Sequence, residues 1–398
     1  MKILITGAKG MIGSALATSL KNIKNEKISE RSNLQIEEIY EYDINNSDEE
    51  LEMICEQADV VFNFAGINRT KDSSEFIEGN YGFVVRLLKK IKKNNNKVKV
   101  MQASSIQASL EGRFKNSDYG KSKLVAEKEF FDFEENGNGK VAVYRLPNMM
   151  GHSKPNYNSV ISTLCNAFAN DLEYHINDTS IELDVLYIDD FIEAMLDFLE
   201  GKENRCEYNG LTRVDNPNGR FCYVPGEYKV SLGEIEKLLK QFKEQPNTLM
   251  MPKIPENSFA KKLYSLYLTY LPVSRFKFPL KTHADKRGGF TELLHTFECG
   301  QVSVNISEPG IIKGQHWHSS KWELFIVVSG HALIQERNVS TGERVEFEVS
   351  GDKIEAVYMI PGWTHNIINL SETEKLVTII ICNENYNPQK QDTILEIV

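Results

Sequence analysis

Between residues 2 and 146 the chain repeats one arrangement. A short run of mostly apolar residues is followed by a longer stretch whose apolar residues return every three or four positions. The runs KILIT (2–6), IEEIY (36–40), VVFNF (60–64), VKVMQAS (98–104) and VAVYRL (141–146) have the β-branched and aromatic content of strands. Met11–Leu20, Glu49–Glu56, Phe76–Lys93 and Tyr119–Phe133 lie between or after them and carry the helical period. Strands alternating with helices predict an α/β Rossmann-like doubly wound parallel sheet. One further pair follows, ELDVLYI and then Asp190–Glu200.

After about residue 245 the pattern changes. QPNTLMMPKIPENS places three prolines in a short polar stretch and reads as a connector. The Tyr/Leu-rich segment Phe259–Leu271 then has the helical period and reads as a packing or dimer element. Beyond it the period falls to two: GQVSVNIS, ELFIVVSG, HALIQER, RVEFEVSG, EAVYMIP, THNIINL and LVTIIIC are short strands separated by turns. Such a series predicts an antiparallel barrel or jelly roll. The expected organisation is a dinucleotide-binding domain at 1–245, a connector and helical segment at 246–275, and an all-β domain at 276–398.

Composition narrows the classes. A chain of 398 residues, 41% hydrophobic and 26% charged, has the make-up of a soluble two-domain protein. Its formal charge of -10 argues against sequence-independent contact with nucleic acid or an anionic membrane, both of which need a basic surface. Cys55, Cys165, Cys206, Cys222, Cys299 and Cys382 are scattered, with no CxxC pair, and read as free thiols of a cytoplasmic protein. The apolar run at the start is too short for a signal peptide and meets a glycine loop.

That loop is the first chemical feature. Gly7, Gly10 and Gly13 form GxxGxxG between the first strand and first helix, with Met11 and Ile12 inside it. Glycines let backbone turn tightly against a pyrophosphate, whose charge the helix N-terminus stabilises. Asp43 follows the second strand, where a carboxylate binds the adenosine ribose hydroxyls; the other reading is a solvated turn aspartate. Ala65 and Gly66 end NFAG, small enough for backbone to pass beneath a dinucleotide. Tyr119 and Lys123, four residues apart, share a helix face. The lysine is expected to lower the phenol pKa and orient the nicotinamide ribose, so that the tyrosine can protonate a carbonyl oxygen receiving hydride. Ser105 would polarise that oxygen; Ser104 competes for the role but alternates to the other side of its strand.

In the second half, Gly310–Gly330 fits the cupin motif G-x5-HxH-x4-E-x6-G, and PGWTHN matches the core of a second one. His316 and His318 alternate on a strand and so face one way. With Glu323 and His365 they make three imidazoles and a carboxylate, a set suited to zinc or another divalent metal. The metal would either polarise a ketone or pin the barrel.

TGAKGMIG, NFAG, SS with YxxxK, RLPNMMG and VLYIDD together resemble the extended short-chain dehydrogenase/reductase family. The resemblance implies a nicotinamide cofactor and a sugar nucleotide. It puts Pro147 and Asn148 along the nicotinamide and sugar, and Asn156 of KPNYNS near the diphosphate. DKRGGFTE (285–292) resembles a stretch of deoxysugar 3,5-epimerases in which arginine and glutamate contact the nucleotide, which implies that role for Arg287 and Glu292.

Over the whole chain SSIQA, KPNYNSVI, SLGEI, GQVSVNIS, GDKIE and THNI resemble the CapF-like bifunctional enzymes of capsule synthesis. The resemblance implies that the cupin epimerises carbon 3 of a UDP-2-acetamido-2,6-dideoxy-hexos-4-ulose. The reductase then delivers hydride from NADPH to carbon 4, giving UDP-N-acetyl-6-deoxy-L-talosamine. Asp43 departs from the basic residue that favours NADPH, so NADH is expected to work as well. A homodimer is expected from a cupin edge and the Tyr/Leu helix. Two other readings stay open: a cupin that only senses or supports, and a metal-dependent oxygenase.

Overall fold

The computed structural model describes residues 1–28, 31–94, 98–156, 159–298, 300–385 and 392–398. The chain divides into two compact units, Met1–Leu239 with Lys262–Tyr270, and Lys240–Lys261 with Leu271–Val398.

In the first unit an eight-stranded sheet has the order Glu38–Tyr42, Lys2–Thr6, Val60–Asn63, Lys99–Ser105, Lys140–Leu146, Phe221–Tyr223, Asn204–Asn209, Thr212–Asp215. The first six strands run parallel. Both faces of the sheet are covered. Ile3, Ile5, Phe62, Met101 and Tyr144 pack on one side with Leu16, Leu20, Phe191 and Phe198. Their strand neighbours Leu4, Val61, Val100 and Val143 pack on the other with Leu87, Phe130 and Phe133. Burial on both faces explains why these strands are apolar almost throughout rather than alternating. Winding reverses between Lys2–Thr6 and Val60–Asn63, the switch point where open α/β sheets form their ligand crevice.

Some boundaries differ from the sequence expectation. The second strand is Glu38–Tyr42, two residues beyond IEEIY. It is an edge strand with no fully buried residue, so apolar content marks it poorly. The helix expected from Phe76 opens with a π-helical turn, Ile77–Gly82, before regular helix at Phe83–Asn94. The helix Leu232–Thr248 runs through Pro246, the first connector proline. Of the Tyr/Leu-rich segment, Lys262–Tyr270 belongs to the first unit. Tyr270 stacks on His152 and its hydroxyl donates to the Ser153 carbonyl at 2.7 Å.

The second unit is antiparallel. A six-stranded sheet runs Thr282–Asp285, Gly288–His295, Gln301–Ser307, Leu376–Cys382, Glu323–Ser329, Ala356–Met359. A five-stranded one runs Arg344–Ser350, His331–Asn338, Trp363–Asn369, Ile312–Trp317, Ile394–Leu395. Alternate residues point inward: Phe325, Val327, Ile334, Val349, Ile367 and Ile380 form the core. The five described cysteines are free and buried; Cys299 lies outside the described residues. No described helix is long and apolar enough to cross a membrane.

Candidate functional site

The glycine loop is shaped by contacts that a side chain would destroy. Gly7 has φ +66°, and a Cβ there would lie 2.8 Å from the backbone nitrogen of Ala65. A Cβ on Gly13 would lie 2.3 Å from the Gly7 carbonyl oxygen. Gly10 caps the helix Met11–Lys24 without any side-chain hydrogen bond, leaving the first N–H groups directed at an incoming anion. Asp43 Oδ2 accepts from the Lys9 backbone N–H at 2.8 Å and Oδ1 from that of Ile44 at 2.9 Å. The carboxylate thus braces the phosphate loop, a role beyond the ribose contact expected of it.

The loop forms one wall of a cleft of about 920 Å³. Gly7, Gly10, Met11, Ile12, Gly13 and Gly66 line it together with Ser105, Tyr119, Lys123, Pro147 and Asn148. Ala65 is not at the surface of the cleft; its N–H donates to Thr6 Oγ1 at 3.3 Å. Asn148 holds the Asp184 carbonyl through its amide nitrogen at 2.9 Å. Lys154, Pro155 and Ser159 of KPNYNS reach the cleft; Tyr157 and Asn158 lie outside the described residues. Asn156 is exposed, and its backbone is held by Thr163 Oγ1 and by Arg69.

Ser104 and Ser105 point to opposite sides of their strand. The Ser105 hydroxyl lies beside the Tyr119 phenol and accepts from the Gln107 backbone N–H at 3.3 Å. Ser104 Oγ donates to Glu127 at 2.5 Å. The Lys123 ammonium donates to the Ala103 carbonyl at 3.1 Å and sits 5.8 Å from the centre of the Tyr119 ring. Burial pushes the Tyr119 phenol up to about 12, against the pull of Ser105. The expectation of a lowered phenol pKa is therefore corrected. Desolvation outweighs the influence of Ser105, and the tyrosine stays protonated, the form a proton donor needs. Burial also lowers Lys123 to about 8, with Glu127 opposing.

Several supporting residues gave no sequence signal. Thr6 Oγ1 donates to Asn63 (2.5 Å), and Asn63 to Gln102 (2.6 Å), a buried polar chain across three parallel strands. Asn80, in the π-turn, is buried and bridges Ile67 to Ser122 at 2.9 Å to each. Glu127 pairs with Arg145 through contacts of 3.0 and 2.6 Å. Glu127 stands one turn beyond Lys123, so its place on that helix face was the one legible clue.

In the second unit His316, His318, Glu323 and His365 converge, their ligand atoms all within 4.8 Å of one another. Glu323 Oε2 lies 3.7 Å from His318 Nε2 and 3.5 Å from His365 Nε2. A tetrahedral site with bonds of 2.0–2.1 Å has ligand atoms about 3.3 Å apart. Glu323 Oε1 is taken by Lys321 at 2.7 Å and by the Cys382 thiol. Burial alone would raise the Glu323 carboxyl, but His318, His365 and Lys321 hold it well below its usual range. Burial lowers His316 to about 4, so its imidazole is neutral and free to ligate. The buried Nε2 atoms of His318 and His365 have no hydrogen-bond partner among the described residues. Orphaned nitrogens facing a carboxylate oxygen fit a divalent cation.

Arg287 is exposed and forms a two-point contact with its near neighbour Asp285. Glu292 lies 3.7 Å from His295. Neither belongs to the four-ligand cluster. Glu336, which no residue-level signal pointed to, is buried directly opposite His365, and burial pushes its carboxyl up to about 7.

The fold and the Ser–Tyr–Lys cleft define an NAD(P)-dependent reductase/epimerase of sugars joined to a cupin-type barrel. Residues 3–209 match the NAD dependent epimerase/dehydratase family, and residues 283–394 the polysaccharide biosynthesis C-terminal domain. The chain is 32% identical over 394 residues to a UDP-2-acetamido-2,6-beta-L-arabino-hexul-4-ose reductase of Pseudomonas aeruginosa, covering 99% of this chain and 98% of that protein. The crystal structure of the capsular polysaccharide assembling protein CapF of Staphylococcus aureus matches over 100% of both chains, with 38% identity and a TM-score of 0.86. A CapF structure with the inhibitor 3-isopropenyl-tropolone matches over the same extent, at 37% identity and a TM-score of 0.82. The chain belongs to this CapF-like family of NAD dependent epimerase/dehydratases with a polysaccharide biosynthesis C-terminal domain.

Proposed function

We propose that the protein converts a UDP-2-acetamido-2,6-dideoxy-hexos-4-ulose to UDP-N-acetyl-6-deoxy-L-talosamine for capsule or O-antigen synthesis. The barrel inverts carbon 3 and the cleft then reduces carbon 4. The observation that carries this is the placement of Ser105, Tyr119 and Lys123 in the same cleft as the glycine loop. When bound, NADPH supplies the hydride there, and a zinc or similar ion among the barrel histidines acts as a Lewis acid or a structural pin.

The residues divide the remaining work. Tyr119, protonated at neutral pH, gives its proton to the C4 oxygen as alkoxide charge develops. Ser105 holds that oxygen and Lys123 orients the ribose beside it. In the barrel the C3 proton is removed from one face and returned to the other. It is acidic only while carbon 4 is a ketone, so epimerisation precedes reduction. A reductase with a merely supporting barrel is the second reading, favoured by the Pseudomonas relative's name, which mentions reduction alone. Four converging ligand groups with two orphaned buried imidazole nitrogens favour the first reading, with a metal-bearing barrel.

Incubation with NADPH and a panel of UDP-4-keto-sugars tests the reading. One NADPH consumed per talosamine product supports it. A product reduced at carbon 4 with carbon 3 unchanged contradicts the bifunctional part.

A further inference from the structure

The carboxyl-terminal segment Asp392–Val398 is stitched to the strands that carry the barrel histidines. Ile394 and Leu395 pair with Trp317 and His316. The Glu396 carbonyl accepts from Thr364, the residue before His365, at 2.5 Å, and the Glu396 N–H donates to the Gln315 carbonyl at 3.0 Å. At the head of the segment Asp392 does two things. Its carboxylate accepts from the backbone N–H groups of Ser319 (2.8 Å), Ser320 (2.7 Å) and Lys321 (2.9 Å), and from Ser320 Oγ (3.0 Å). Its backbone carbonyl is hydrogen-bonded to His318 Nδ1.

A carbonyl can only accept, so Nδ1 carries the proton, and the neutral imidazole that a metal ligand must be then presents its lone pair at Nε2. That Nε2 is the buried, unpartnered nitrogen 3.7 Å from Glu323 Oε2. The same carboxylate fixes the turn between His318 and Glu323, including Lys321, whose ammonium holds the other Glu323 oxygen. We propose that Asp392 is a positioning residue for the metal centre, fixing the tautomer of His318 and the turn that aims Glu323. This rests on the reading of the four-residue cluster as a metal site.

Outer partners of metal ligands typically contribute 10–100-fold to metal affinity. The test is zinc affinity of the full chain by competition with a chromophoric chelator, for the wild type and Asp392→Ala. The expected result is a loss of 10–100-fold in the variant with its circular dichroism unchanged. The variant removes the carboxylate and keeps the carbonyl, so equal affinity in the two proteins overturns the carboxylate's positioning role and leaves the metal site standing. A wild type without zinc affinity overturns both. Should Asp392→Ala misfold, long-range ¹H–¹⁵N spectra of the zinc-loaded wild type decide. His318 ligated through Nε2 with a proton on Nδ1 supports the proposal, and ligation through Nδ1 overturns it.

Discussion

Tyr119→Phe removes one oxygen and with it the proton donor, while leaving the ring's packing on Phe76 in place. Reduction should fall by roughly 10²- to 10⁴-fold, the usual contribution of a general acid. Epimerisation, assigned to the other unit, should survive. Near-normal NADPH oxidation by this variant would mean that another group delivers the proton. Lys123 sets the pH response of the same cleft. Burial holds its pKa at about 8, so the ammonium is present below that pH and lost above it. Reductive kcat/KM should therefore be level towards neutrality and decline as pH rises through about 8. Tyr119, pushed to about 12, adds no second limb in that range. A profile flat to pH 9.5 would contradict this assignment. At the barrel, purified protein should carry about one equivalent of divalent metal. His365→Ala should lower the occupancy, with elemental analysis as the measurement.

Among the elements, the Lys9 loop and the Asp43 turn are linked by a hydrogen bond, which changes the forecast for cofactor choice. Like-charge repulsion from Asp43 disfavours a 2′-phosphate, yet its carboxylate also braces the loop that holds the pyrophosphate. Asp43→Ala should shift the kcat/KM ratio towards NADPH, narrowing the gap where NADH is the preferred cofactor, and raise KM for both. A change confined to NADPH would show that the brace is unimportant. The buried Glu127–Arg145 pair ties the helix of Tyr119 and Lys123 to two strands. Such pairs typically cost 3–5 kcal/mol when one partner is removed. Glu127→Ala should lower unfolding stability by about that amount in urea titrations of the full chain. The glycine loop and the Tyr119–Lys123 face are legible in the sequence because each depends on residues a few positions apart. The Thr6–Asn63–Gln102 chain and Asp392 are not, since their partners come from distant segments. Asn80 escapes because a π-turn does not keep the helical period. Both HxH histidines were legible from strand alternation and Glu323 from the cupin motif, whereas the oxygen of Glu323 that faces His318 and His365 depends on Lys321 and Cys382.

Across the whole molecule, the proposed function places two chemistries of one keto-sugar in one chain. Their order follows from acidity, because a reduced carbon 4 leaves the carbon 3 proton inert. The direct measurement is incubation of the UDP-4-keto-sugar with the protein in deuterated water, without any nicotinamide cofactor. Proton loss at carbon 3 is then followed by NMR. Deuterium should appear at carbon 3 with wild type and with Tyr119→Phe, and none once the barrel metal is removed or His365 replaced. No exchange with metal-replete wild type would contradict the proposed function, leaving a reductase whose barrel takes no part in the chemistry.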